Sequence, residues 1–254
     1  MATEVLMNSV VGGVQWGLDR MLAVGYGVLY DYIFEQFAPY QQLRAEVLDR
    51  IDSVLPAGRS RRDVQVLDVA CGPGNMTVTL AEAGYSVVGV DPYAALVEIA
   101  REKRRAQHLA NVAFRQGDLA RGNTFKSAAF DVLVNIHSLY LHPSPQKLLR
   151  EACRVLKPGG YAVFVNRTRQ VSNWSTVREL RDRDGASAAM RSLLWVVPNS
   201  IFEAARKRSG APNYWDGDTF TGALRSAGFT VLEMRRTFLH GSSLLAFVRK
   251  DTEE

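Results

Sequence analysis

VLDVACGPGN, residues Val66–Asn75, is the stretch on which the reading of this chain turns. A short apolar run containing an acid, Asp68, passes at once into a loop with two glycines, Gly72 and Gly74. Strand, glycine turn and helix in succession form a general device for holding a polar or anionic ligand. The helix start offers free N–H groups, and glycine lets the backbone come close to whatever is bound. Taken by itself, Gly-x-Gly also fits an ordinary structural turn.

The next acid narrows the reading. Asp91 closes the following apolar run, YSVVGVD, 19 residues beyond Gly72. In a nucleotide-binding sheet an acid at this place reaches the ribose hydroxyls. It also suits the N-cap of a helix starting at Pro92, and the two roles are compatible. A dinucleotide-binding loop would carry a third glycine where this chain has Thr77, and Asp68 would repel a pyrophosphate. A cationic ligand bearing an amino acid meets no such repulsion, so S-adenosylmethionine is favoured over NAD.

Outward from this stretch, short apolar runs alternate with helical segments. VQVLDVA, YSVVGVD, VAFRQGD, FDVLVNI and YAVFVN read as strands, with helices marked by Leu96, Ile99 and Ala100 and by Leu148 to Leu156. The second helix stops at KPGG, where Gly159 suits positive φ. Such alternation predicts a parallel sheet covered on both faces. FTVLEMRR and SLLAFVRK, joined by TFLHGS, predict an antiparallel hairpin at the sheet edge. Before the sheet, Leu43, Val47, Leu48, Ile51, Val54 and Leu55 predict an amphipathic helix over residues 41–55. Residues 9–39 are crowded with apolar groups and read as a buried or substrate-facing helix pair, with a membrane-surface helix as the alternative, against which the small number of Lys and Arg on its polar face weighs.

Composition sets the outer limits. The chain has 254 residues, enough for one domain with a lid, and a formal charge of +5 spread over helix faces and loops. A nucleic-acid footprint would be a denser basic stripe with interleaved aromatics. Cys71 and Cys153 make no disulfide framework or metal spacing, which fits a reducing compartment. No run of about twenty apolar residues predicts membrane insertion, and the N-terminus lacks the pattern of a signal peptide. The expectation is a cytoplasmic protein with no nucleic-acid partner and no metal.

VLDVACGPGN, VVGVDP, RQGDLA, FDVLVNIHSLYLHP and RVLKPGG, in this order, resemble the class I S-adenosylmethionine-dependent methyltransferases. The resemblance covers roughly residues 64–165, and the C-terminal SAGFTVLEMRR with its hairpin is similar too. It implies a Rossmann-like, doubly wound α/β fold with a seven-stranded, mostly parallel sheet and an antiparallel C-terminal hairpin. By position it implies that Asp68, Ala70, Gly72 and Gly74 line the methionine end of the cofactor. Asp91 would take the ribose hydroxyls, Pro92 and Tyr93 would flank the adenosine, and Asp118 with Leu119 would hold the adenine edge. Asn135 would lie beside the point of methyl transfer. Two departures stand out: Ala70 occupies a place where the family often has glycine, and Tyr140 one where it often has histidine.

The expected organisation is one methyltransferase domain. Residues 1–60 form an N-terminal helical cap, 64–165 the cofactor-binding core, 166–215 a lid insertion, and 216–254 a C-terminal helix and hairpin. His137 and Tyr140, just after the fourth strand, are the candidates for catalysis, His137 as a general base if the acceptor must lose a proton. A hydrogen-bonded loop histidine is the plainer account of His137. His142 reads as the residue leading into the next helix, and His240 receives no role. Tyr30, among Tyr26, Tyr30 and Tyr40, is chosen to lay a ring over the sulfonium. Trp174, Trp195 and Trp215 point to an apolar acceptor pocket under the lid. The expected reaction is methylation of an apolar or aromatic small molecule such as a quinone precursor, a lipid or a specialised metabolite. A methyltransferase acting on protein or RNA, and a non-catalytic cofactor-binding module, are the alternatives. Whether the lid mediates a homodimer stays open.

Overall fold

The computed structural model describes residues 37–122, 124–168, 213–239 and 241–252, with 177–178, 181–182, 185–187, 189–190 and 193 between them. Seven strands form one sheet: β1 (Gln65–Val69), β2 (Ser86–Asp91), β3 (Val112–Gln116), β4 (Phe130–Ile136), β5 (Leu156–Arg167), β6 (Phe229–Thr237) and β7 (Ser243–Lys250). Their order is β3-β2-β1-β4-β5-β7-β6. The first five strands run parallel, and β7 lies antiparallel between β5 and the edge strand β6.

The helices follow from the alternation of apolar positions. The helix α1 (Ala38–Asp52) precedes the sheet. Three others make the crossovers: α2 (Asn75–Glu82) after β1, α3 (Ala94–Ala106) after β2 and α4 (Pro145–Val155) after β4. The last, α5 (Gly217–Arg225), leads into β6 and is capped by Asp216, whose side chain accepts the N–H of Thr219. Successive strand residues face opposite sides, so the sheet splits the interior into two cores. Val66, Val132, Val134, Val163 and Val165 meet Leu43, Val47, Ile51, Leu80 and Val97 on one side. Leu67, Leu133, Phe164 and Ala246 meet Leu148, Leu149, Phe220 and Leu224 on the other.

From β1 the chain steps outward to β2 and β3, then returns to place β4 on the opposite side of β1. A crevice opens beyond the carboxyl ends of strands at such a reversal. The glycine stretch leaves β1 at that point.

Several boundaries differ from the sequence reading. The helix expected over 41–55 starts three residues earlier, with Pro39 in its first turn, and stops at Asp52. Leu156, assigned to a helix, is the first residue of β5, although Gly159 does take φ +71°. The helix after β2 starts at Ala94 rather than Pro92. Asp91 accordingly bonds the N–H of Tyr93 instead of capping the helix. Tyr40 is buried in the first core, and Trp215 packs against Phe220 of the second with ring centroids 5.7 Å apart. Tyr26 and Tyr30, Trp174 and Trp195, His240, and most of the expected lid lie outside the described residues.

Candidate active site

The loop after β1 holds three residues with left-handed backbone: Ala70 (φ +55°), Gly72 (φ +55°) and Gly74 (φ +84°). The two glycines serve different ends. A Cβ on Gly72 would meet none of the described residues within 4 Å, so among them its surface is open to a ligand. On Gly74 a Cβ would lie 2.9 Å from Ala100 Cβ and 3.0 Å from the Phe114 ring. Gly74 therefore lets the loop pack on α3 and β3. Ala70 carries a side chain in a conformation that disfavours one.

Two buried carboxylates flank the loop. Asp68 Oδ2 accepts the Thr77 hydroxyl at 2.5 Å. Asp91 binds the N–H of Gly72 through one oxygen and that of Tyr93 through the other, each at 2.9 Å. Burial pushes Asp68 up to about 7, with the Asp91 charge adding to it. Burial likewise raises Asp91 to about 6, against the two backbone N–H groups. Among the described residues no lysine or arginine pairs with either acid. A pair of dry carboxylates without a counter-ion is costly to ionise, and a positively charged ligand above Gly72 would relieve that cost. The ammonium and sulfonium of S-adenosylmethionine fit this donor set; a pyrophosphate does not.

The other expected residues line up along the same end of the sheet. Asp118 follows β3, and its Oδ1 takes the N–H of Ala120 at 2.9 Å and meets His142 Nε2 at 3.2 Å. The His142 contact holds its carboxyl below the usual range. The Leu119 side chain belongs to the second core. Pro92 is exposed and its carbonyl accepts Gln116 Nε2 at 3.3 Å.

At the end of β4, Asn135 Nδ2 donates to the carbonyl of Val69 at 2.9 Å and to Ser138 Oγ at 2.5 Å. It thus ties β4 to the start of the glycine loop. Its Oδ1 is buried without a partner, as are both amide atoms of Asn166 at the end of β5. His137 sits at φ +54°, with Nε2 2.8 Å from Ser243 Oγ and its ring 4.9 Å from that of Phe238. Burial, reinforced by the Arg167 charge, pulls its pKa down to about 3. As placed, the ring stays neutral near pH 7 and is a weak proton acceptor. Tyr140 is buried and stacks on Tyr214 with centroids 5.6 Å apart. Phe238, itself at φ +53°, meets Phe37 edge-on at 6.4 Å.

Sequence reasoning missed two contributors. Thr77 was noticed only as a missing glycine, yet it holds Asp68. His142 was read as leading into a helix, yet it reaches Asp118 after β3. Neither contact has a local sequence signal, because each joins segments that the fold alone brings together.

Residues 67–164 match the methyltransferase domain family. Across a longer span the chain is 29% identical over 187 residues to the demethylmenaquinone methyltransferase of Lactococcus lactis, covering 72% of this chain and 71% of that protein. The chain has the fold of the class I S-adenosylmethionine-dependent methyltransferases, and the fold and these similarities together support a catalytic S-adenosylmethionine-dependent methyltransferase. Its cofactor is S-adenosylmethionine, and its seven-stranded sheet with the terminal hairpin is the fold of that class.

Other similarities to this methyltransferase are narrower. A probable phthiotriol/phenolphthiotriol dimycocerosates methyltransferase of Mycobacterium ulcerans is 33% identical over 106 residues, which is 40% of this chain and 39% of that one. A ubiquinone biosynthesis O-methyltransferase of Acinetobacter baylyi is 26% identical over 51% of this chain and 53% of that one. Among solved structures, the cyclase SpnF superposes with a TM-score of 0.64 at 18% identity, covering 92% of this chain and 97% of that one. A methyltransferase from Aquifex aeolicus does so at 0.56 and 19% identity, over 86% and 97%. Both likenesses speak to the fold. Among the described residues no helix is long and apolar enough to cross a membrane.

Proposed function

We propose that this methyltransferase acts on an apolar or aromatic small molecule, such as a quinone precursor, a lipid or a specialised metabolite. The observation that carries the acceptor class is the aromatic wall beside the ends of β4 and β5, formed by Phe37, Phe238 and the neutral His137 ring. Left-handed backbone at His137, Phe238 and Leu239 concentrates at the same place, and such strain tends to collect at functional sites. The names of the L. lactis and A. baylyi relatives, which concern quinone compounds, support the same class.

In this reading Asp68 takes the ammonium of the cofactor, with Ala70, Gly72 and Gly74 shaping the backbone below it. Asp91 takes the ribose hydroxyls, Pro92 flanks the adenosine, and Asp118 with the backbone of Leu119 receives the adenine edge. The free Oδ1 of Asn135 faces the transfer point. Bound S-adenosylmethionine would supply an electrophilic methyl carbon to the lone pair of the acceptor. The protein's own work is to orient the two reactants and exclude water. Its weakly basic His137 makes orientation the larger share.

Transfer of radiolabelled methyl from S-adenosylmethionine into a cell extract, followed by solvent partition, tests the reading. Label in the organic phase is the expected result. Label confined to protein or RNA would overturn it, and no transfer despite cofactor binding would point to a binding module.

A further inference from the structure

We propose that His142 is a positioning residue that aims Asp118 at the exocyclic amine of the cofactor's adenine, so that it sets selectivity for adenine over a 6-oxo purine. The inference rests on the reading that Asp118 receives the adenine edge. His142 Nδ1 accepts the N–H of Ser144 at 3.0 Å. In the neutral ring the proton is therefore on Nε2, which donates to Asp118 Oδ1 at 3.2 Å. The N–H of Ala120 occupies the same oxygen at 2.9 Å. With Oδ1 taken by two donors, Oδ2 is left to accept from a ligand, and its neighbour is the largely exposed Arg121 at 3.6 Å.

The histidine is itself held. Its carbonyl accepts Asn213 Nδ2 at 3.0 Å, and the backbone N–H of Asn213 donates to the carbonyl of Tyr140 at 2.7 Å. Tyr214 then stacks on Tyr140. The backbone of residues 140–142 is thus fastened from a segment some seventy positions away, where the expected lid rejoins the sheet. Without the imidazole, Asp118 could rotate about its side-chain bonds and turn Oδ2 toward Arg121 and solvent.

Calorimetry with S-adenosylhomocysteine and S-inosylhomocysteine reads this directly, because the second ligand replaces the amine with an oxo group. Wild-type protein is expected to prefer the adenosyl ligand by about tenfold to a hundredfold, as one hydrogen bond to a charged group is worth. His142→Leu should bring the ratio to within about threefold, while His142→Gln, which keeps an N–H donor, should restore most of it. Should His142→Leu fail to fold, His142→Ala carries the same comparison. A His142→Leu protein with an unchanged ratio overturns the inference, provided Asp118→Asn collapses the ratio. If Asp118→Asn also leaves it unchanged, the adenine assignment of Asp118 is what fails, and the role of His142 falls with it.

Discussion

Thr77 donates its hydroxyl to Asp68 Oδ2 at 2.5 Å, from the first turn of the helix that the glycine loop opens. A dinucleotide-binding loop would have glycine at this position. Here a side chain is needed, because Asp68 is buried and Thr77 is the residue that supplies its hydrogen bonds. Thr77→Val keeps the shape and removes the donor. The expected outcome is about tenfold weaker S-adenosylhomocysteine binding at pH 7, in line with the loss of one hydrogen bond to a charged acceptor. Thr77→Ser should bind almost as the wild type does. Equal affinity for the valine variant in calorimetry would remove Asp68 from the cofactor site.

The two loop acids also make binding depend on pH. Asp68 and Asp91 hold their protons to about 7 and about 6, against 3.8 for an ordinary aspartate. Both values are raised, so the fold binds these protons more tightly than the unfolded chain does. The stability they contribute is highest at acid pH and declines as pH rises from 3.8 through 6 to 7. A cationic ligand reverses that preference by favouring the ionised pair. Affinity for S-adenosylhomocysteine should therefore increase between about pH 5 and pH 7.5 and then level off, with protons released on binding. A flat profile between those limits, in two buffers of different ionisation enthalpy, would contradict the pairing.

Ala70 adopts φ +55° at the start of the loop. For a residue with a Cβ this region costs roughly 1–2 kcal/mol. Ala70→Gly relieves the strain but adds flexibility to the unfolded chain, which offsets part of the gain. The net expectation is a stabilisation of about 0.5–1 kcal/mol in urea unfolding with cofactor affinity unchanged. Ala70→Val should destabilise by more than that, because a β-branched side chain tolerates the region least. A glycine variant less stable than wild type would mean that the alanine methyl packs usefully.

His137 was expected on sequence grounds as a general base, a role that would make its loss cost about 10²–10⁴-fold in kcat. Its pKa of about 3 in the fold argues for a smaller part. We expect His137→Asn to lower kcat for a hydroxyl acceptor by less than about tenfold, with no kinetic ionisation near pH 6.5 in the wild type. A loss of a hundredfold or more would restore the base assignment. The depressed value has a second consequence: the unfolded chain takes up this proton first, so His137 costs the fold stability as pH falls from 6.5 toward 3.

Much of this architecture was legible in the residues themselves. Short apolar runs separated by helical periods define the five parallel strands and their crossovers, because all but the edge strand β3 are covered on both faces. FTVLEMRR and SLLAFVRK define the hairpin as two strand-like runs joined by a short turn, and Asp68 and Asp91 stand at the ends of the first two strands beside the glycine loop. These are local patterns, set by the strand period and by which side chains water rejects. What only the tertiary structure decided concerns the partners of polar groups. Gly72 faces open space while Gly74 packs against Ala100 and Phe114, a distinction that no Gly-x-Gly pattern contains. Thr77 meets Asp68 nine residues away, His142 meets Asp118 across 24, and Asn213 meets His142 across 71. His137 became a neutral, half-buried ring because Ser243, Phe238 and Arg167 converge on it from other strands and loops. A hydrogen bond or a pKa depends on a neighbour within a few ångströms, and in a doubly wound sheet those neighbours come from distant strands.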